Sequence, residues 1–291
     1  MITLKPLSAL SVDVVSELWN KAFEGYYSNV SMPLDRFIAR IANEGLSLEQ
    51  SFACYVDHEV AGIVLNGFRD FNGQKIAWNG GTAILPAYRG KGIGKVMMAK
   101  NIEYYDEQGL DVAYLEAISM NQQAIHVYES VGYKIIDRLL LLSCDQLKMQ
   151  DYPFIYQYQV IRGQAVDAAA LPFYKISDVW QAQWQSLKDG ESIIVYDKGE
   201  AIGFAQFRRT FNSNGKLLGI TLYRCEAMPN RKDGEAIMMA ALRELWGSEP
   251  DCIRSAMNIR AREKGLIHLL EQLNFEVSME QVLMRRKGMI S

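Results

Sequence analysis

The chain has 291 residues, 49% of them hydrophobic and 22% charged, with a formal net charge of −3. That length suits two domains of ordinary size, and that composition belongs to a globular chain rather than a disordered one. There is no long basic run and no apolar run of transmembrane length, so neither nucleic acid nor a membrane is expected as a partner.

In chain order, residues 2–5 read as a strand and 12–23 as a helix. Pro33 opens a second helix that ends near Gly45. Strands at 51–56 and 60–68 flank the hairpin turn Asp57-His58-Glu59. A strand at 76–85 leads into residues 85–95, Leu-Pro-Ala-Tyr-Arg-Gly-Lys-Gly-Ile-Gly-Lys, and a helix at 96–108 follows. A buried strand at 111–118, a short helix at 122–131 and a strand at 133–143 come next.

The glycine-rich turn that opens the third helix is the first chemical signal. The first amides of a helix have no partner inside it, and the macrodipole places partial positive charge there. Gly90, Gly92 and Gly94 let the backbone approach an anion, and Arg89, Lys91 and Lys95 add full positive charge. A P-loop would need Ser or Thr after its lysine, and Val96 follows Lys95. A dinucleotide fingerprint would need Gly-x-Gly-x-x-Gly, whereas these glycines are spaced by two throughout.

The second signal lies at residues 115–133. Asn121 suits an N-cap, Ala124 and Tyr128 share its helix face, and Gly132 suits the helix end. Arg89-x-x-Gly92-x-Gly94 resembles the pyrophosphate-binding signature of the GCN5-related N-acetyltransferases, the GNAT family. Asn121-x-x-Ala124-x-x-x-Tyr128-x-x-x-Gly132-Tyr133 is similar to that family's second motif at every defined position.

The resemblance implies acetyl-CoA as cosubstrate, with its pyrophosphate on the amides of Gly90, Lys91, Gly92, Ile93, Gly94 and Lys95. It implies backbone contacts from Thr82, Ala83 and Ile84 to the pantetheine and thioester, a pantetheine contact from Asn121, and Tyr128 as general acid. Glu116, in Leu-Glu-Ala, resembles the general base that ribosomal-protein alanine acetyltransferases carry in Leu-Glu-Val. Their peptide substrate is not carried over, because Ile118 stands where their pattern often has Arg. The plain alternatives are a solvated or salt-bridged strand carboxylate at Glu116 and a core aromatic at Tyr128. The implied fold is the α/β (α+β) GNAT fold: a mixed, mostly antiparallel sheet with helices on both faces.

The chain also repeats itself at an offset near 141 residues. Met97-Met98-Ala99 recurs as Met238-Met239-Ala240, Ile125-His126 as Ile267-His268, and Pro86 as Pro229. The expected domains are a catalytic one at 1–148 and a degenerate GNAT-like one at 153–291, with a linker near 147–154 where strand exchange would blur the limit.

In the second copy we expect a helix at 178–188 and a hairpin turning at Asp197-Lys198-Gly199-Glu200. A strand at 216–227, a helix at 235–246, a strand at 253–259, a helix at 261–273 and a strand at 275–286 follow. There Glu263, Leu266 and Leu270 replace Asn121, Ala124 and Tyr128. That argues against catalysis, although Arg231 and Lys232 leave anion binding open. The second copy would bury surface on the first, shape the substrate cleft or make a homodimer.

Cys54, Cys144, Cys225 and Cys252 lack metal-ligand spacing and the three histidines form no cluster, so no metal is expected. Without an apparent export signal the cysteines read as buried thiols in the cytoplasm. Trp19, Tyr26, Tyr27 and Phe37 fall where GNAT proteins build a substrate wall, though such aromatics are more often core. The expected reaction is direct attack of a primary amine on acetyl-CoA. A small-molecule acceptor is favoured over a peptide amine; the rival class is a non-catalytic acyl-CoA-binding module.

Overall fold

The computed structural model describes residues 1–71, 73–148, 158–247 and 252–288. The chain forms two compact units: Met1–Ile136 together with Val282–Ser291, and Asp137–Gln281.

In the first unit the strands are β1 (Ile2–Pro6), β2 (Phe52–Val56), β3 (Glu59–Phe71), β4 (Gln74–Ile84) and β5 (Val112–Ile118). They lie side by side in that order, antiparallel except for the pair β4–β5. Beyond β5 comes the end of β12 (Glu276–Lys287), the last strand of the chain. Helices α1 (Val12–Ala22) and α2 (Leu34–Glu44) precede β2; α3 (Ile93–Glu107) and α4 (Gln122–Ser130) flank β5. The local chemistry explains their ends. Pro33 caps α2 at its start, and Gly45 closes it in the left-handed region at φ 66°. Asn121 caps α4 by accepting from the Ala124 amide at 3.1 Å. The core behind the motif helices gathers Met98, Tyr105, Leu115, Tyr128 and Tyr133 with Val282 and Met284 from β12.

The parallel pair positions the site. β4 and β5 are paired only from Ile76↔Val112 to Asn79↔Leu115. Beyond that point their registered pairing ends, although β4 runs on to Ile84 and β5 to Ile118. Helix α1 closes on this part of β4, where a Cβ on Gly81 would stand 2.5 Å from the Trp19 ring. Glycine is required there by close approach.

The second unit repeats the plan. Its strand order is β12 (its first half), β6 (Lys134–Cys144), β11 (Ile253–Arg260), β10 (Leu217–Ala227), β9 (Glu200–Phe211), β8 (Glu191–Asp197) and β7 (Gln159–Gln164). The pair β10–β11 is parallel from Gly219↔Ile253 to Leu222↔Ala256, and its registered pairing then ends as in the first unit. Helices α5 (Ala165–Ala169), α6 (Gly234–Trp246) and α7 (Lys264–Gln272) complete it.

Three expectations differ from the structure. In place of a helix over 178–188 stand two short 3-10 turns, Trp180–Ala182 and Trp184–Ser186. Side chains there bind backbone carbonyls: Ser186 Oγ donates to Trp180 O and Gln183 Nε2 to Ser177 O, both at 2.7 Å. Such local bonds compete with a helix ladder. Helix α7 begins at Lys264 rather than at 261, because Glu263 takes the N-cap position. The units also divide differently from 1–148 and 153–291. β6 beyond Ile136 counts with the second unit and the chain end from Val282 with the first. The expected linker lies, beyond Lys148, outside the described residues.

Candidate active site

A cleft of about 980 Å³ of empty space, its open mouth included, lies in the first unit where β4 and β5 part. Its walls hold every catalytic and acetyl-CoA-binding candidate read from the sequence except Lys91 and Glu116: Thr82, Ala83, Ile84, Arg89, Gly90, Gly92, Ile93, Gly94, Lys95, Asn121 and Tyr128.

At one end stands the turn before α3. Gly90 and Gly92 sit at φ 74° and 76°, conformations that L side chains rarely adopt, and space around both is open. Gly92 is the N-cap of α3, and no side chain caps the helix start. The first helical bond runs from the Val96 amide to Gly92 O, which leaves the amides before Val96 outside the helical ladder. Unpaired amides, positive-φ glycines and Lys95 together suit a phosphate group, so the site fits the pyrophosphate that the motif implies.

Arg89 is placed differently from its two lysine neighbours. Its guanidinium donates to the carbonyls of Ile84 at 3.0 Å, Ala22 at 2.9 Å and Glu24 at 2.6 Å. It straps the turn to the end of α1. Lys91 Nζ lies 5.5 Å from the centre of the Tyr88 ring.

At the other end stands Tyr128 on α4, 8% exposed. Burial raises its pKa well above 10, so it is neutral at physiological pH. Tyr26 lines the same cleft with Asn121, and burial raises its pKa as well.

Glu116 lies on β5 one residue past the last registered pair with β4. Its Oε2 accepts from Trp78 Nε1 at 2.7 Å, while its Oε1 is shielded and has no partner among the described residues. Burial pushes this carboxyl up to about 7; the Trp78 bond opposes the shift, and Glu44 adds to it. A carboxyl near pH 7 with a vacant oxygen is the form a general base takes.

Several cleft residues escaped the motif reading: Phe23, Tyr88, Gln123 and Val127. Gln123 and Val127 are four apart on α4, which a fuller use of helical spacing would have found. Of the expected aromatic wall, Tyr26 faces the cleft, Trp19 and Phe37 are core at 2% and 0% exposure, and Tyr27 is 53% exposed.

The second unit's helix α6 differs at the matching turn. Arg231 Nη2 donates to Asp233 at 2.6 Å and Asp197 at 3.2 Å, and the Tyr158 hydroxyl donates to Asp233 at 2.8 Å. Asp233 is the N-cap of α6, and the Arg231 bond holds its carboxyl down at about 2. A carboxylate thus stands where the first unit offers bare amides, and Arg231 is committed to it.

Comparison with known proteins points to the same fold. Residues 12–133 match the model of the Acetyltransferase (GNAT) family. A 50-residue stretch is 38% identical to the streptothricin acetyltransferase of Streptomyces lavendulae, covering 17% of this chain and 26% of that protein. Among solved structures, a tandem GNAT protein from the clavulanic acid biosynthesis pathway matches all of both chains, with TM-score 0.69 and 13% identity. A GCN5-related N-acetyltransferase from Anabaena variabilis matches with TM-score 0.62 and 14% identity, over 99% of this chain and 73% of its own. Residues 12–133 thus form a domain of the acetyltransferase (GNAT) family, within a chain that has the duplicated GNAT fold.

Proposed function

We propose that the chain is an N-acetyltransferase that moves an acetyl group from acetyl-CoA to a primary amine by direct attack. The observation that carries this reading is one cleft with bare helix-start amides at one end and the Tyr128 hydroxyl at the other, with the Glu116 carboxyl on the adjoining strand. The 38% likeness to a streptothricin acetyltransferase supports acetyl transfer over that segment.

Acetyl-CoA supplies an activated acyl group and a good leaving thiol. The amides before Val96 and the Lys95 ammonium hold the pyrophosphate. Backbone groups of Thr82, Ala83 and Ile84, on the part of β4 beyond its pairing with β5, receive the pantetheine arm. The acceptor amine arrives as an ammonium ion, and Glu116, directly or through a water, removes its proton. The free amine then attacks the thioester carbonyl, with no covalent enzyme intermediate. Tyr128, held neutral by burial, meets the departing sulfur as a donor. Holding both reactants in one cleft supplies much of the acceleration.

A small-molecule amine is the favoured acceptor, with a peptide amine as the alternative; Ile118 departs from the peptide-acetylating pattern. The cytoplasm suits four cysteines of which none is in a disulfide, three of them buried. The test is a screen of amines and peptides for acetyl-dependent release of CoA thiol. An acetylated amine product confirms the reading. Tight acetyl-CoA binding with no transfer to any acceptor overturns it in favour of a binding module.

A further inference from the structure

The second unit keeps a cleft where β10 and β11 part, about 1400 Å³ of empty space with its open mouth included. Its chemistry differs from that of the first. Arg224 is 7% exposed and lines the cleft. Its Nε and Nη2 donate to Glu226 at 2.9 and 2.6 Å, and Nη2 also donates to Lys175 O at 2.9 Å. Its Nη1 is buried and has no partner among the described residues. The guanidinium lies 4.4 Å from the Tyr174 ring centre and 5.2 Å from that of Phe204, so the side chain is fixed by packing.

Asn258 lines the same cleft at 2% exposure. Its Nδ2 donates to Gln181 at 2.9 Å, which fixes the amide's orientation, and its Oδ1 is buried without a partner. The 142-residue offset that pairs Glu263 with Asn121 pairs Asn258 with Glu116. A held donor and a held acceptor, both buried and both unmet, are costly unless something completes them.

Charge selects the ligand. Lys175, Arg224, Arg260, Arg262 and Lys264 face Asp178, Glu226 and Glu263 in the lining, an excess of cations that favours an anion. Arg260 is already satisfied by Asp137 at 2.8 Å and Asp178 at 3.0 Å. The three carboxylates disfavour a dianion such as phosphate and favour a singly charged group with a positive or N–H-bearing neighbour.

We propose that the second copy's cleft is a binding site for a small organic carboxylate that also carries an N–H donor, the chemistry of a free amino acid. The carboxylate accepts from Arg224 Nη1 and the N–H donates to Asn258 Oδ1. This site is separate from the acetyl-CoA cleft and stands whether or not the first unit acetylates amines.

The test titrates the full chain with each proteinogenic amino acid by calorimetry, with triglycine as a peptide arm and inorganic phosphate as an anion control. One or more amino acids should bind at one per chain, more tightly than triglycine or phosphate. Arg224→Lys keeps a cation for Glu226 and removes Nη1; it should weaken binding roughly tenfold or more, the worth of a hydrogen bond to a charged group. Gly265→Phe is the second variant. Gly265 lines the cleft without positive φ, and an added Cβ would meet only Met238 at an ordinary 3.7 Å, so a ring fills the space without straining the backbone. It should abolish amino-acid binding while acetyl-CoA affinity stays at the wild-type value. Absence of binding by every amino acid, preference for triglycine or phosphate, or binding that survives Gly265→Phe overturns the proposal. So does a second equivalent of acetyl-CoA that Gly265→Phe removes, which would make the cleft a cosubstrate site.

Discussion

Two side chains carry the proposed chemistry, and burial acts on both in the same direction. Tyr128 is held neutral, so it keeps the proton that a general acid must donate. Tyr128→Phe keeps the ring and removes the hydroxyl. Turnover should fall about a hundredfold or more while acetyl-CoA affinity holds, as expected when a donor acts mainly in the transition state. Unchanged turnover with chemistry rate-limiting would reduce Tyr128 to packing. Glu116 titrates near 7, and its carboxylate is the active form, so kcat/KM should climb as pH rises through about 7 and level off above. Glu116→Gln should lower activity and flatten that limb, with partial recovery at high pH where free amine is plentiful. The stability sign is opposite. The folded pKa lies above the ordinary 4.5, so between those values the folded state binds more protons, and stability declines as pH rises through the window. Glu116→Gln should therefore be relatively more stable than the wild type at pH 8, measured by denaturant titration at both ends of the range. A pH–rate profile identical to the wild type's would sink the base assignment.

At the scale of elements, the decisive feature is a turn joined to a helix start. The turn before α3 suits an anion because Gly90 and Gly92 take positive φ and nothing caps the helix. Gly92→Asp introduces three penalties at once: a strained φ for an L residue, a side chain in the anion's space, and a negative charge against phosphate. It should abolish acetyl-CoA binding by calorimetry, whereas a substitution of exposed His126 on α4 should leave it intact. The turn before α6 is this experiment already performed by the chain, since Asp233 stands at that helix start. One equivalent of acetyl-CoA per chain is the expected stoichiometry; two equivalent sites would remove the claim that the second copy is degenerate.

The whole molecule does not divide where its motifs do. All the GNAT motif residues lie before residue 134, yet the core around Tyr128 includes Val282 and Met284. Arg286 adds a paired contact to Asp106 on α3, 2.8 Å at each end, with both side chains mostly buried. A fragment of residues 1–148 keeps every motif and loses this strand. It should fail to give a cooperative melt or to bind acetyl-CoA, because β5 would expose an unpaired edge and the core would lose two buried apolar side chains. A stable, acetyl-CoA-binding fragment would show that the chain end is dispensable to the first unit. Deleting Val282–Ser291 from the full chain should do comparable harm.

Local chemistry determined most of the elements and much of the cleft. Pro33 and Gly45 bound α2, Asn121 caps α4, and the glycine turn opens α3, because each acts through bonds to residues a few positions away. Eleven-residue stretches such as β4 and β6 are legible as strands, but a strand's pattern does not name its neighbour. Only the tertiary structure decided that the chain end from Val282 completes the first unit. Only packing turned Arg89, a charge beside a phosphate turn in the sequence, into a strap on three carbonyls. Burial likewise set the Glu116 carboxyl near 7, with Trp78 opposing the shift and Glu44 adding to it from 38 and 72 positions earlier in the chain. Motif spacing reports the bonds a residue makes to its own turn; desolvation and long-range partners depend on what the fold brings alongside.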